Sequence, residues 1–277
     1  MTTLYFDRDV DLDAARQCYA ENGVVVIRNL INAERLAALK DWTLRTVYAR
    51  AKSARISLAE GLDLDTAFNQ MCAVDRSLGG DIYGVLRHHP QAIQLMSDPL
   101  LQRYLELFLG TKDIYYAADQ THFRIDRKNE GHYSLPWHQD YWWNNTSRYA
   151  VTVWYSFVDV PHALGPLSFL LGSHHQVAKI RVDTHFKQKW DQNRLFTLAE
   201  PVDEAQAVEI PVNAGDVVFA HALVLHRSGV NQSEKNRWSI VTRYADMFDP
   251  NFVAKGWKSG IRVGYLSILD TDPECVI

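Results

Sequence analysis

His138 and Asp140 stand two residues apart in PWHQDYWW, residues 136–143. On an extended segment side chains alternate, so this imidazole and carboxylate project to one side while Gln139 and Tyr141 face the other. Such a pair can converge on one divalent metal. With a second imidazole it becomes a two-histidine, one-carboxylate set, which leaves positions on non-haem Fe(II) open for a cosubstrate and oxygen. The pair alone equally describes surface hydrogen-bonding groups, so a third ligand is required, and the chain has 11 histidines. His226, in VFAHALVLHRSGVNQSEKNR, sits where one strand is left and another entered. His221 is the local competitor, but an odd separation puts it on the other face of a straight strand. Arg237 follows His226 by 11 residues, and an arginine there can clamp a small dicarboxylate through two hydrogen bonds. Ser239, two residues further, shares Arg237's face if the segment is extended.

The elements that must position these groups change character along the chain. Its 277 residues are 47% hydrophobic and 12% aromatic, enough for one large core and an aromatic-lined pocket. Residues 12–21 read as a helix, and Asn22-Gly23 turns the chain into a short buried strand. A second helix follows, with Asn32 as its N-cap. Residues 53–82 carry no single period. Residues 89–110 read as two short helices broken at Ser97-Asp98-Pro99 and stopped at Gly110. From residue 113 onward short strands are expected at 114–125, 150–160, 166–171, 207–212, 216–220 and 237–245. Strands of this number and length suggest a closed or two-sheet antiparallel core. Residues 175–205, with Trp190, look like an insertion. One domain, 1–277, is expected, its helical part (about 1–112) packed on a β core (about 113–250).

Composition excludes several partners. Net charge is -4 at pH 7 without a long basic run, which argues against nucleic acid. Cys18, Cys72 and Cys275 form no CxxC pair, and the N-terminus has no apolar secretion core. No stretch reaches membrane-spanning length. A cytoplasmic protein with a small-molecule substrate and no membrane partner is expected. Neither a glycine-rich nucleotide loop nor a nucleophile elbow is present.

NGVVVIRNL, WHQD, GPLSFLLGSHH, AGDVVFAHALVLHRSGVNQSEKNR and RYA, spread over about residues 15–245, resemble the phytanoyl-CoA dioxygenase family of Fe(II)/2-oxoglutarate oxygenases. The resemblance implies a mainly β fold with flanking helices, a double-stranded β-helix or jelly roll of the cupin type. It implies His138, Asp140 and His226 as catalytic metal ligands and Arg237 as partner of the distal carboxylate of 2-oxoglutarate. Ser228 and Asn231 would support the turn beside the metal. The implied cofactor set is Fe(II), 2-oxoglutarate and O2. The implied reaction is hydroxylation of an unactivated C–H bond of a small molecule in specialised metabolism, with 2-oxoglutarate converted to succinate and CO2. Halogenating relatives lack the carboxylate ligand, so Asp140 argues against halogenation. Desaturation, epoxidation and cyclisation would use the same cofactors. A cupin-like isomerase or cosubstrate-free dioxygenase would not need Arg237, and the intact triad argues against a non-catalytic binder. Pro166 and Leu171 depart from the family pattern, which bears on a loop and the pocket wall.

Further candidates flank this set. Gln120 and His122 share one face of YAADQTHFRI, and Thr152 and Trp154 one face of YAVTVWYSF. Each is a candidate for the cosubstrate site, with core packing as the alternative. Trp142, Trp143 and Asn144 follow the ligand pair, and indole faces could stack on a substrate ring or simply form a core layer. His174 and His132 could approach the pocket. Arg124, Arg127 and Lys128 could meet an anionic substrate, but a solvated turn explains them equally.

Overall fold

The computed structural model describes residues 3–9, 11–128, 130–131, 134–143, 147–182, 196–257 and 268–277. His132, Asn144 and Trp190 lie outside the described residues. Strand β1 (Tyr5–Asp7) leads into helix α1 (Leu12–Asn22), whose Asp11 cap accepts from Asp13 N. Gly23, at φ 73°, ends α1 in the left-handed conformation and donates its N–H to Tyr19 O. The chain passes directly into β2 (Val24–Arg28), where Val24 to Ile27 are fully buried. Helix α2 (Ala33–Ser53) starts at Asn32, whose side chain accepts from Glu34 N. The aperiodic stretch folds as α3 (Leu64–Val74) and α4 (Ser77–Leu86). Proline opens both α5 (Pro90–Met96) and α6 (Pro99–Leu109), where its missing N–H costs nothing.

The strands follow: β3 (Ile114–Tyr116), β4 (His122–Asp126), β5 (Val151–Ser156), β6 (Leu167–Phe169), β7 (Ile180–Val182), β8 (Phe196–Leu198), β9 (Val208–Ile210), β10 (Val217–His221), β11 (His226–Ser228) and β12 (Arg237–Asp246). The major sheet runs β1-β2-β10-β5-β12-β3, with β4 also paired to β12. The minor sheet is β11-β6-β9, and β7 pairs β8. Helices α1, α4 and α6 pack on the major sheet. Its register sets Arg237 opposite Asp126 and Ser239 opposite Arg124 across β12 and β4. On the other side of β12, Arg243 stands opposite Thr152.

The expected mainly β, closed jelly roll is not what forms. Among the described residues 40% are helical and 23% are strand, and the sheets are open. Two causes are visible. The stretch 53–82 became two helices. The minor-sheet strands have three residues each, because turns interrupt them: Gly165 and Gly172, both at positive φ, bracket β6. The strand expected over 114–125 is likewise divided by a 3-10 turn, Ala118–Gln120.

Candidate active site

His138 and His226 are joined by a single β-bridge. His138 N donates to His226 O at 2.9 Å, and His226 N returns to His138 O at 3.0 Å. Their ring centroids are 4.1 Å apart. Asp140 begins a 3-10 turn, Asp140–Trp142, and its Oδ1 lies 3.7 Å from His138 Nε2. The ligand atoms of His138, Asp140 and His226 all lie within 4.8 Å of one another, and all three residues are buried. No other such group occurs among the described residues.

Hydrogen bonds fix which atoms face the metal position. His138 Nδ1 lies 2.7 Å from Pro136 O, and His226 Nδ1 lies 3.0 Å from Val224 O. A carbonyl only accepts, which assigns each Nδ1 as the protonated donor and leaves the Nε2 lone pairs for metal. Burial above all, then the neighbouring His138 imidazole, pushes the His226 imidazole down to about 4. It is therefore neutral near pH 7, as a ligand must be. Burial alone would raise the Asp140 carboxyl, but Arg243, with His138 and His226, outweighs this and holds it well below the usual carboxylate range. Arg243 Nη2 donates to Asp140 Oδ1 at 3.0 Å, and Thr152 Oγ1 donates to Oδ2 at 2.5 Å. Two imidazoles with Nε2 free for metal and one carboxylate, each oriented by a further partner, fit Fe(II).

A cavity of about 790 Å³ opens over this set. Trp143, Trp154, Leu167 and Phe169 give it apolar walls, and Arg124, Asp126, Ser228 and Arg237 form a charged end. Arg237 is only 1% exposed. Its Nε and Nη2 both reach Asp126 Oδ2, at 3.2 and 2.9 Å, and Nη1 donates to Gly229 O at 3.3 Å. Burial would raise the Asp126 carboxyl, but Arg124 and Arg237 bring it down to about 2. Ser239 lies on the same strand face but outside the cavity lining, and its buried Oγ has no hydrogen-bond partner.

The remaining candidates divide. His122, Thr152 and Trp154 line the cavity. Enclosure by the cavity walls, then Arg243, pushes the His122 imidazole down to about 4. Gln120 is buried and outside the cavity lining; its carbonyl accepts from Arg243 Nη1 at 2.9 Å and its amide atoms have no partner. Trp143 lines the cavity, 5.4 Å between ring centroids from His138. Trp142 does not: it is fully buried with Ile180, Phe196 and Ile268. His174 lies in a separate cavity with Tyr19 and His221, its Nε2 3.1 Å from Ala20 O. Asn231 Nδ2 donates to Asp126 O at 2.9 Å and Lys235 O at 2.6 Å, closing the turn after β11. Arg243 and Asp126 escaped the residue reading. Arg243 was within reach of it, because an even separation from Arg237 places both on one face of β12.

A buried two-histidine, one-carboxylate set over an arginine-ended cavity defines a non-haem iron enzyme that draws on 2-oxoglutarate and O2. The sequence profile of the phytanoyl-CoA dioxygenase family matches residues 19–239, and the chain belongs to that family. It is similar to 1-deoxypentalenic acid 11-beta-hydroxylase of Streptomyces exfoliatus, 24% identical over 80% of this chain and 76% of that one. Its fold is shared with the epimerase SnoN in complex with Fe3+, alpha ketoglutarate and nogalamycin RO (TM-score 0.56, 19% identity, 85% and 83% of the two chains). It is also shared with the alpha ketoglutarate dependent carbocyclase SnoK from nogalamycin biosynthesis (TM-score 0.55, 17% identity, 94% and 95%). No described helix is long and apolar enough to cross a membrane.

Proposed function

We propose that this enzyme hydroxylates an unactivated C–H bond of a small, largely apolar molecule in specialised metabolism. The observation that carries the proposal is the cavity of about 790 Å³, which brings Trp143, Trp154, Leu167 and Phe169 together beside His138, Asp140 and His226. When bound, iron, 2-oxoglutarate and O2 supply the oxidation, in which 2-oxoglutarate becomes succinate and CO2 and the substrate gains one oxygen atom. The chain's part is placement. Pro136 O and Val224 O hold the imidazoles, and Arg243 and Thr152 hold the carboxylate. Arg237 and Ser239 receive the distal carboxylate of the cosubstrate. The apolar walls press the substrate against the metal position and exclude water, which suppresses oxidation of the protein itself.

A screen of ring-containing and chain-like apolar compounds, read as substrate-stimulated succinate formation and product mass, tests this. Gain of one oxygen as a new alcohol, rather than as an epoxide ring, supports hydroxylation. Likeness to SnoK and SnoN favours a second reading, ring closure or epimerisation, for which the product would lose two hydrogens or keep its mass. Wild-type enzyme with no Fe(II)-dependent 2-oxoglutarate binding would sink both.

A further inference from the structure

The charged end of the cavity holds more than one arginine. Arg124, on β4, projects from the same face as Asp126 two residues on. Its Nη2 donates to Asp126 Oδ1 at 2.8 Å, while Arg237 takes Oδ2. Asp126 therefore bridges two guanidiniums. The side edge of Arg237 is already taken by Asp126, so Arg237 alone cannot offer that fork to a ligand.

Arg124 also reaches toward the metal side. Its Nη1 lies 3.5 Å from Ser228 Oγ, and Ser228 is two residues beyond His226 on β11, roughly 7 Å along a strand. The register places Ser239, with its partnerless buried Oγ, opposite Arg124. Arg124, Ser228 and Arg237 thus line the same cavity as the metal ligands, and Ser239 stands beside them in register, opposite Arg124.

We infer that Arg124 is a second anchor for the distal carboxylate of 2-oxoglutarate, acting beside Arg237, with Asp126 positioning both. The inference rests on 2-oxoglutarate binding at this end of the cavity, which the wild-type enzyme tests separately. The experiment is calorimetry on Fe(II)-loaded enzyme without oxygen and without substrate. Two ligands are compared: 2-oxoglutarate, and 2-oxopentanoate, which keeps the keto acid and lacks the distal carboxylate. Arg124→Gln should weaken 2-oxoglutarate roughly 10- to 100-fold, the range for one hydrogen bond to a charged group, and leave 2-oxopentanoate within about twofold. Arg124→Lys, which keeps the charge without the planar fork, should fall between the two. It also serves if the glutamine variant fails to fold. Equal weakening of both keto acids, or of neither, overturns the inference. So does an Arg124→Gln effect confined to the oxidised substrate. Wild-type enzyme that binds neither keto acid overturns both this inference and the proposed function.

Discussion

Replacing Arg243 by Met should loosen the iron while leaving its three ligands in place. Arg243 is the guanidinium that bonds Asp140, at 3.0 Å, with the two side chains 11% and 4% exposed. Solvent does little to screen such a contact. A hydrogen bond to a charged group is worth about 1.5–3 kcal/mol, and loss of a group that orients a metal ligand costs about 10- to 100-fold in metal affinity. The two ranges agree, since tenfold is about 1.4 kcal/mol. Thr152 still bonds Oδ2 at 2.5 Å, which limits the loss. Fe(II) affinity should therefore fall about 10- to 100-fold in an anaerobic chelator competition. The loss should grow on acidification. Asp140 has a depressed carboxyl in the folded protein, so its contribution is present above the unfolded value of about 3.9 and fades as pH falls through the folded one. Without Arg243, protons compete for Asp140 at higher pH. An opposing effect exists, because removing a guanidinium also removes its repulsion of the metal cation. Arg243→Lys separates the two, since it keeps the charge and loses the fork. Tighter iron binding in Arg243→Met, or wild-type affinity there within about threefold, would refute the assignment of Arg243 as the residue that orients Asp140.

Three other outcomes are expected. In Gly229→Ala the new Cβ would stand 2.3 Å from Pro166 O and 2.7 Å from Gly165 C, both backbone. Overpacking of this kind costs about 1–3 kcal/mol, so the melting temperature and, through β11 and His226, the iron affinity should both drop. Trp142→Ala should cost about 3–5 kcal/mol in denaturant unfolding yet leave the product distribution unchanged, whereas Trp143→Ala should alter the products. His221 is pushed down to about 3, by burial first and then by His174 and His175. The unfolded chain then binds the extra proton below about 6.5, so His221 lowers stability progressively from there to about pH 3, and His221→Asn should reduce the stability lost between about pH 7 and pH 5.

How much of the site was legible depended on whether one local rule was enough. His138 and Asp140 face one metal position because Gln139 is extended (φ -109, ψ 133), so alternation holds across that residue. It fails one step later. The 3-10 turn at Asp140–Trp142 replaces a period of two with one near three, which sends Trp142 into the aromatic core and Trp143 into the cavity. Nothing in WW distinguishes them. The ion pair of Asp126 with Arg237 was hidden for another reason: it depends on which strand lies beside β12 and in what register, over a separation of 111 residues. Stretch 53–82 was illegible because its helices run only 11 and 10 residues, and only the first carries a side-chain cap, Asp63. The closed jelly roll implied by the family resemblance does not form, since three-residue strands bounded by left-handed glycines pair without closing.

Backbone pairing, more than side-chain packing, sets the ligand spacing. His138 and His226 exchange both of their backbone hydrogen bonds, so a single bridge fixes two of the three ligands. The third is fixed from below by neighbours in the major sheet, Thr152 on β5 and Arg243 on β12, which face each other in register. Each half of the site thus belongs to a different sheet. Gly165 and Gly229 press together where the minor sheet turns back: Gly229 N donates to Pro166 O at 3.0 Å, and a Cβ on Gly165 would meet Val230 C at 2.6 Å. That contact is the seam on the histidine side. A substitution there should move His226 relative to Asp140 and weaken iron binding without touching a ligand, while changes at Thr152 or Arg243 should move Asp140 and leave the bridged histidines where they are.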